Sequence, residues 1–230
     1  MDDESFVLPE EAKLKSATAC EEFLINMEIF DEDYFFVMKK RDDNLPSLTA
    51  TEETVDRNYS FEPPPPGSSP FFFFNGAKEF NERRGIPPIA QMPDILFDGT
   101  NLVIRTHLRN ALLPLEIPGL FMHPSVYIDE KDHWHEDFWY LIFPRRFDCW
   151  DRKKSDYNPD PIRLGGFNLH SIYAYSLDEE KLNNTPLNQR LLFKMGETQE
   201  AYTLCHKSLA HIFRDSGTRL ITIAGFENAW

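Results

Sequence analysis

Runs of apolar residues separated by turn residues organise the segment from Asp94 to Asp151. They predict a strand that ends at a turn over Asp98-Gly99, a second strand over Leu102–Arg105, and a short helix. The helix should begin at Thr106, because a threonine hydroxyl can accept from an unpaired amide of the first helical turn. Pro114 should end it, since proline cannot donate to the helical ladder.

An antiparallel pair of strands is predicted next, with one arm over Leu120–Ile128 and the other over Asp137–Phe143. Between the arms lies the sequence DEKDHWHED, which holds five carboxylates against one lysine. We call residues 129–137 the acidic tip. Apolar strands on both sides of it predict a packed scaffold that carries a charged, solvent-exposed turn.

The N-terminal part of the chain contains a proline-rich segment between two predicted groups of elements. Before this segment we predict a helix over Pro9–Met27, a strand over Tyr34–Met38 and a polar connection over Asn44–Glu62. After it we predict a short helix over Ala77–Arg84. The sequence FEPPPPGSSPFFFF could be a linker or a ligand for an aromatic groove. We prefer a third interpretation, in which the prolines cross the surface and deliver Phe71–Phe74 into a core.

The C-terminal part is predicted to contain further strands and one helix. The predicted elements are strands over Phe167–Tyr175, Arg190–Lys194 and Arg219–Ala224, and a helix over Ala201–Phe213 ended by Gly217. The segment Leu177–Pro186 is predicted to be a charged connector.

Strands and helices do not alternate regularly, which argues against a doubly wound parallel sheet. We therefore predict an α+β fold with mixed or antiparallel sheets and a few short helices. Residues 1–30 are interpreted as a helical extension and residues 31–230 as one α+β domain. Leu96-Phe97 and Leu192-Phe193 each precede a predicted helix and strand, so residues 31–150 and 151–230 could be two similar strand–helix halves.

Charge disfavours nucleic acid as a direct partner. The formal net charge is −14, from 24 basic and 38 acidic residues. Residues 1–62 alone hold 17 acidic and 6 basic residues. Phosphate backbones bind to basic clusters, whereas an acidic face can steer association with a basic protein. The alternative is that the acidic residues only keep the protein soluble.

Cysteine usage and the N-terminal sequence predict a cytoplasmic protein without a membrane segment. Cys20, Cys149 and Cys205 are widely spaced and form no CxxC pair, which is typical of thiols in a reducing compartment. The sequence MDDESFVLPEE lacks the basic and apolar regions of a secretory signal. No apolar run approaches the roughly 20 residues of a membrane span.

The acidic tip also holds the densest group of potential metal ligands. On a strand His133 and His135 would point the same way and could bind one metal, with Asp132, Glu136 or Asp137 beside them. A zinc site needs a third and usually a fourth ligand that are held rigidly. Side chains at the tip of a hairpin are not expected to be held in this way. We favour a solvated polar turn that contacts a partner.

No catalytic motif stands out, so neither an enzyme nor a cofactor is predicted. Ser125 has no Gly-x-Ser-x-Gly elbow around it. Asp148 and Asp151 lie close to Cys149 and should raise the pKa of its thiol, which opposes nucleophilic use.

Several stretches resemble bacterial immunity proteins of polymorphic-toxin and contact-dependent systems, in the related groups numbered eleven and forty-three. They are YFFVMKKRDDNLPSL (Tyr34–Leu48), PDILFDGTNLVIRTHLRNAL (Pro93–Leu112), the Phe-x-x-Pro-Ser-Val element at Phe121–Val126, DFWYLIFPRRFDCWDRKKSDY (Asp137–Tyr157), and the terminal LLFKM…HKSLAHIF. The resemblance covers most of residues 34–224.

The resemblance implies a protein that works by binding. Its partner would be a cognate toxin domain, encoded by an adjacent gene and neutralised stoichiometrically in the cytoplasm. Two other classes stay open. One is a metal-assisted hydrolase that uses His133 and His135 to reverse a toxin's modification. The other is an adaptor that loads an effector onto a secretion apparatus.

The partner is predicted to bind at the acidic tip rather than at the competing acidic segment Glu28–Asp33. Trp134 could anchor the core of an interface while carboxylates form its rim. The predicted partner-binding residues are Asp129, Glu130, Asp132, His133, Trp134, His135, Glu136 and Asp137. The alternative, with equal weight, is that the tip is only solvated.

Overall fold

The computed structural model describes residues 30–57, 59 and 61–229. The predicted helix over Pro9–Met27 and most of the predicted extension lie outside the described residues. The strands are β1 Tyr34–Lys39, β2 Leu48–Ala50, β3 Phe71–Asn75, β4 Ile95–Asp98, β5 Asn101–Arg105, β6 Phe121–Ile128, β7 Trp134–Ile142, β8 Asp156–Tyr157, β9 Ile162–Leu164, β10 Phe167–Leu169, β11 Ile172–Ala174, β12 Leu192–Lys194, β13 Thr203–His206 and β14 Thr218–Thr222.

The helices are short. They are α1 Glu52–Val55, α2 Lys78–Arg84, α3 Thr106–Leu112, α4 Glu179–Asn183 and α5 Ala210–Phe213, with 3₁₀ turns at Leu113–Leu115, Leu187–Gln189, Lys207–Leu209 and Phe226–Asn228. In the described part of the chain, none of the helices has the length and apolar character needed to cross a bilayer.

Two sheets form the body of the fold. One has four antiparallel strands in the order β12-β13-β1-β14, and the other has six in the order β2-β3-β6-β7-β5-β4. All neighbours in the larger sheet are antiparallel except β3 and β6, which are parallel. The mixed and antiparallel sheets with few short helices confirm the predicted α+β class.

The first strand of the chain belongs to the sheet that is otherwise built from its last strands. In β1, Phe36 pairs with Leu204 on one side and with Ile221 on the other. The division suggested between residues 150 and 151 therefore does not coincide with a division between the two sheets.

Three apolar clusters hold the sheets together. The middle core lies between them, because it combines Val37 and Cys205 of the small sheet with Ile95, Ile104 and Leu141 of the large one. A second core covers the other face of the small sheet, to which β1 contributes Phe36 among others. A third core, which contains Phe73 and Tyr140, covers the other face of the large sheet. Buried apolar area of this kind is the main stabilising term in folding.

The Phe71–Phe74 run is a strand whose side chains alternate between the two faces of the sheet. Phe71 and Phe73 are fully buried, whereas Phe74 is 41% exposed. The proline-rich segment before it is held against the protein: an Arg57 Nη donates to the carbonyl of Ser69 over 2.7 Å and the other to that of Pro70 over 3.0 Å. These contacts agree with the interpretation that the prolines deliver the aromatic run into a core.

Thr106 does not cap helix α3, contrary to the prediction. The position before the helix is Arg105, and no side chain caps it. The Thr106 hydroxyl instead donates to the carbonyl of Asp137 and accepts from the Trp139 indole, each over 3.0 Å. A non-local partner on the neighbouring strand β7 has displaced the local cap. The helix ends at Leu112, close to the predicted end, and Pro114 lies in the 3₁₀ turn that follows.

The prediction of one helix over Ala201–Phe213 is wrong in its first half. Thr203–His206 form β13, which pairs with β1 and β12, and helix is confined to the 3₁₀ turn and α5. Pairing on both sides supplies hydrogen bonds that outweigh a weak local helical pattern. The predicted connector Leu177–Pro186 contains α4, whose first turn is capped because the Asp178 carboxylate accepts from the backbone N–H of Lys181.

Candidate functional site

The acidic tip is partly loop and partly strand. Strand β6 ends at Ile128 and β7 begins at Trp134, three residues earlier than predicted. Only Asp129–His133 form the loop; Trp134 and His135 pair with Ile128 and Tyr127 of β6, and Glu136 and Asp137 lie at the irregularity that follows in β7. Strand geometry aims alternate side chains to opposite faces, which separates residues that looked equivalent in the sequence.

Asp129 organises the loop from within. One carboxylate oxygen accepts from the backbone N–H groups of Lys131 over 2.8 Å and His133 over 3.0 Å. Burial acts to raise the pKa of Asp129, but hydrogen bonds from the backbone of His133 and Lys131 and from the His135 ring outweigh it and hold the pKa at about 2. The Asp129 side chain is only 14% exposed. It shapes the loop and offers little surface to a partner.

The two histidines converge, but on a carboxylate. His133 Nδ1 and His135 Nε2 each lie 3.2 Å from Oδ2 of Asp129. His135 also stacks on the ring of Tyr127, with ring centres 5.8 Å apart. Within residues 30–57, 59 and 61–229, no three histidine, cysteine, aspartate or glutamate side chains are grouped to hold a metal ion.

Two further carboxylates of the tip bind neighbouring elements. Glu130 accepts a hydrogen bond from the Asn75 amide at the end of β3. Asp137 forms an ion pair with Arg105, which also contacts Asp94 over 3.3 Å. Because these side chains already serve internal contacts, their role in a partner interface is smaller than their charge suggested.

Trp134, Asp132 and Glu136 are the predicted tip residues that the structure leaves facing solvent without such contacts. Trp134 is 59% exposed and meets the edge of Phe72 on β3, with ring centres 5.8 Å apart. A large exposed aromatic supported by a second aromatic is typical of an interface anchor.

Strand register extends this aromatic pair into a continuous apolar surface. Phe74, Ile128 and Trp134 are opposite one another across β3, β6 and β7, and Phe72 is opposite Val126 in the next row. We call these five residues the outer strip. Pro124, Met122 and Leu141 continue the same face of β6 and β7 into the middle core. The outer strip is thus the part of that face that the small sheet and α3 do not cover.

A groove lies at the end of the outer strip that is next to Pro70 and Pro124, and acidic residues lie at its edge. The groove has a volume of about 270 Å³, and its walls include Phe72, Val126, Trp134 and Glu136. Sequence reasoning found Trp134 but missed Phe72 and Phe74, because it assigned the whole phenylalanine run to a core. The sequence did contain a signal, because alternate residues of a strand point to opposite faces. Phe72 and Phe74 could therefore not share a core with Phe71 and Phe73.

A second exposed apolar surface, the β9–β10 hairpin, was also missed. Leu164 pairs with Phe167 across a Gly165-Gly166 turn, and the two side chains are 66% and 64% exposed. Both glycines have positive φ, +57° and +82°, as a two-residue turn that follows the strand twist requires. Gly-Gly between two short apolar runs was the sequence signal for this hairpin.

The described nucleophile candidates are buried. Ser125 is 1% exposed and its hydroxyl donates to the carbonyl of His123 over 3.3 Å. Burial, and then the carboxylate of Asp148, raise the pKa of Cys149, in the direction predicted. Burial also raises the pKa of Cys205, to about 12. Thiols in these states are poor nucleophiles.

Comparison with family models and with curated proteins finds no match to this chain.

Proposed function

We propose that this protein is a bacterial immunity protein that binds a cognate toxin domain in the cytoplasm and neutralises it stoichiometrically. The observation that carries the proposal is the outer strip: an aromatic face of the large sheet, bordered by the acidic tip, that the small sheet and α3 leave uncovered among the described residues. The resemblance of the segments at 34–48, 93–112 and 137–157 to immunity proteins supports the same function.

Uncovered aromatic surface supports a binding role because soluble proteins rarely leave it without a use. Phe74 and Trp134 are 41% and 59% exposed and lie in one row across three strands. Contiguous apolar patches with a polar border typically mark interaction sites. A stable complex usually buries about 800 Å² on each partner, so the outer strip would be the centre of a larger interface.

Charge at the border specifies the chemistry of the partner. Asp132 and Glu136 are exposed at the acidic tip, and neither forms an ion pair within the described residues. The complementary surface is an apolar patch with lysines or arginines around it. Toxins that act on nucleic acids or nucleotides have basic clefts, and an acidic inhibitor can occupy such a cleft in place of phosphate.

Titration of toxin activity tests the proposal. The toxin domain encoded beside this gene is purified, and its activity is measured against increasing amounts of the full chain. We expect activity to fall linearly and to vanish near one equivalent, and we expect the two proteins to co-purify. Loss of activity at a small fraction of one equivalent would instead indicate turnover, as expected of an enzyme that reverses a modification.

Survival of cells that produce the toxin separates immunity from effector loading. An immunity protein protects such cells, whereas an adaptor binds the toxin and leaves it active. Binding without protection would therefore contradict the proposal, and so would the lack of any complex.

A further inference from the structure

A recess lies where the end of β1 meets the turn between β4 and β5. It has a volume of about 340 Å³. The described residues that line it include Lys39, Lys40, Arg41 and Arg219, and none of them is an aspartate or glutamate. In a chain with a net charge of −14, four cations around one recess are a local reversal of charge.

The two arginines converge on one backbone oxygen. Arg41 Nη2 donates to the carbonyl of Ala229 over 2.5 Å, and Arg219 Nη2 donates to the same oxygen over 2.6 Å. Neither guanidinium forms an ion pair with a carboxylate in the described part of the chain. Two like charges that share a neutral acceptor repel each other, and an anion beside them would remove this repulsion.

Of the two arginines, Arg219 has the positive charge that its surroundings stabilise less. Its Nε is buried and has no hydrogen-bond partner among the described residues. Burial, and then the charge of Arg41, lower the pKa of its guanidinium. A cation with these surroundings is stabilised when an anion binds, because desolvated charge is costly until it is paired.

Lys39 is a third cation beside the two arginines, and its side chain is partly buried. Its Nζ donates to the carbonyls of Leu45 over 3.3 Å and Pro46 over 2.9 Å. Burial lowers the pKa of Lys39, while the nearby Asp42 and Asp43 act to raise it by less. These two aspartates offset part of the positive charge, but they do not line the recess.

The rest of the wall is apolar or aromatic. Met38, Phe97 and Tyr202 line the recess beside the cations, and Gly99 and Thr100 contribute the β4–β5 turn. A volume of about 300 Å³ is at the lower end for small-molecule sites, which combine an apolar wall with a few polar groups. Arginine forks match the geometry of phosphate oxygens.

We infer that this recess, the basic pocket, binds a small phosphate monoester, with the phosphate on Arg41 and Arg219 and an apolar or aromatic body against Phe97 and Tyr202. The site is separate from the outer strip and does not depend on the proposed function.

Calorimetric titration of the full chain with adenosine monophosphate and with inorganic phosphate tests the inference. We expect the nucleotide to bind with a Kd below about 1 mM and the Arg219→Gln variant to bind at least about tenfold more weakly. Arg163→Gln is the matched control, because it removes one positive charge from the exposed β9 strand. It should leave the affinity unchanged.

Arg41→Gln provides a second variant, since Arg41 is exposed and tolerates change more readily. It should also weaken binding about tenfold. Equal affinity for both probes would overturn the placement of an organic body against Phe97 and Tyr202 and would leave free phosphate as the ligand. Three results would overturn the inference: no binding of either probe, equal losses in Arg163→Gln and Arg219→Gln, or a lower Tm in Arg219→Gln with unchanged affinity. The last result would mean that the arginines only hold the carbonyl of Ala229.

Discussion

Replacing Trp134 by alanine should weaken toxin binding strongly while leaving the fold intact. Trp134 is 59% exposed, so a partner that covers it would bury roughly 150 of the about 250 Å² that a tryptophan offers. At about 25 cal/mol per Å², this burial contributes about 3–4 kcal/mol, less about 1 kcal/mol for fixing the side chain. A net loss of about 2–3 kcal/mol raises Kd by about 30- to 150-fold.

The expected cost to stability is small. Trp134 loses its edge contact with Phe72 at 5.8 Å, and such aromatic pairs are worth about 0.5–1.5 kcal/mol. Binding to a catalytically inactive toxin domain is measured by calorimetry, and folding is checked by urea denaturation. Phe121→Ala is the matched control, because Phe121 is a 47% exposed aromatic at the opposite end of β6 and on its other face.

An unchanged Kd in a folded Trp134→Ala variant would refute this reasoning. Phe167→Ala tests the second exposed apolar surface, the β9–β10 hairpin. If only that variant loses binding, the partner docks on the hairpin and not on the outer strip. If Phe121→Ala weakens binding as much as Trp134→Ala, the effect is not specific to the outer strip.

The remaining predictions concern the stability that three residues contribute. Burial, and then Arg146, lower the pKa of Lys194 to about 7, so the folded state binds fewer protons than the unfolded state up to about pH 10. Stability should therefore rise by up to about 1.4 kcal/mol per pH unit from pH 7 to pH 9 relative to Lys194→Met, as measured by urea denaturation of both proteins. Asp129→Ala should cost about 1–3 kcal/mol, because two backbone N–H groups lose their acceptor. The contribution of the Asp129 charge is present above about pH 4 and is lost as pH falls toward its folded pKa of about 2, so the wild-type advantage over Asp129→Asn should shrink in acid. Gly217→Ala should lower Tm by several degrees, since φ is +91° and the added Cβ would lie 2.7 Å from Cβ of Pro93; an unchanged Tm would contradict the close contact.

The local sequence pattern was sufficient to predict an element where that element pairs with segments adjacent to it in the chain. The Asp98-Gly99 turn between β4 and β5 is an example, because Gly99 takes the φ of +58° that such a turn needs and the flanking strands pair directly. The α+β class followed in the same way from the order of strands and helices. The pKa of Cys149 is raised as predicted, and the neighbouring Asp148, which the sequence places beside it, is one of the causes.

The sequence pattern was insufficient where a distant strand decides the outcome. Thr203–His206 read as helix, yet β1, more than 150 residues earlier in the chain, supplies the hydrogen bonds that make them a strand. Thr106 was assigned to a helix cap, yet β7 offers its hydroxyl two better partners. In each case tertiary hydrogen bonds outweigh a local preference of a few tenths of a kcal/mol per residue.

The candidate site shows the same division. The sequence determined that residues 129–137 are acidic and contain one tryptophan. Only the tertiary structure decided that Asp129, Glu130 and Asp137 are engaged within the protein and that Trp134 lies beside Phe72 and Phe74. Those aromatics come from β3, and the parallel pairing of β3 with β6 brings them next to β7. The outer strip is a property of strand order, because side chains far apart in the chain share a face only after the sheet has formed.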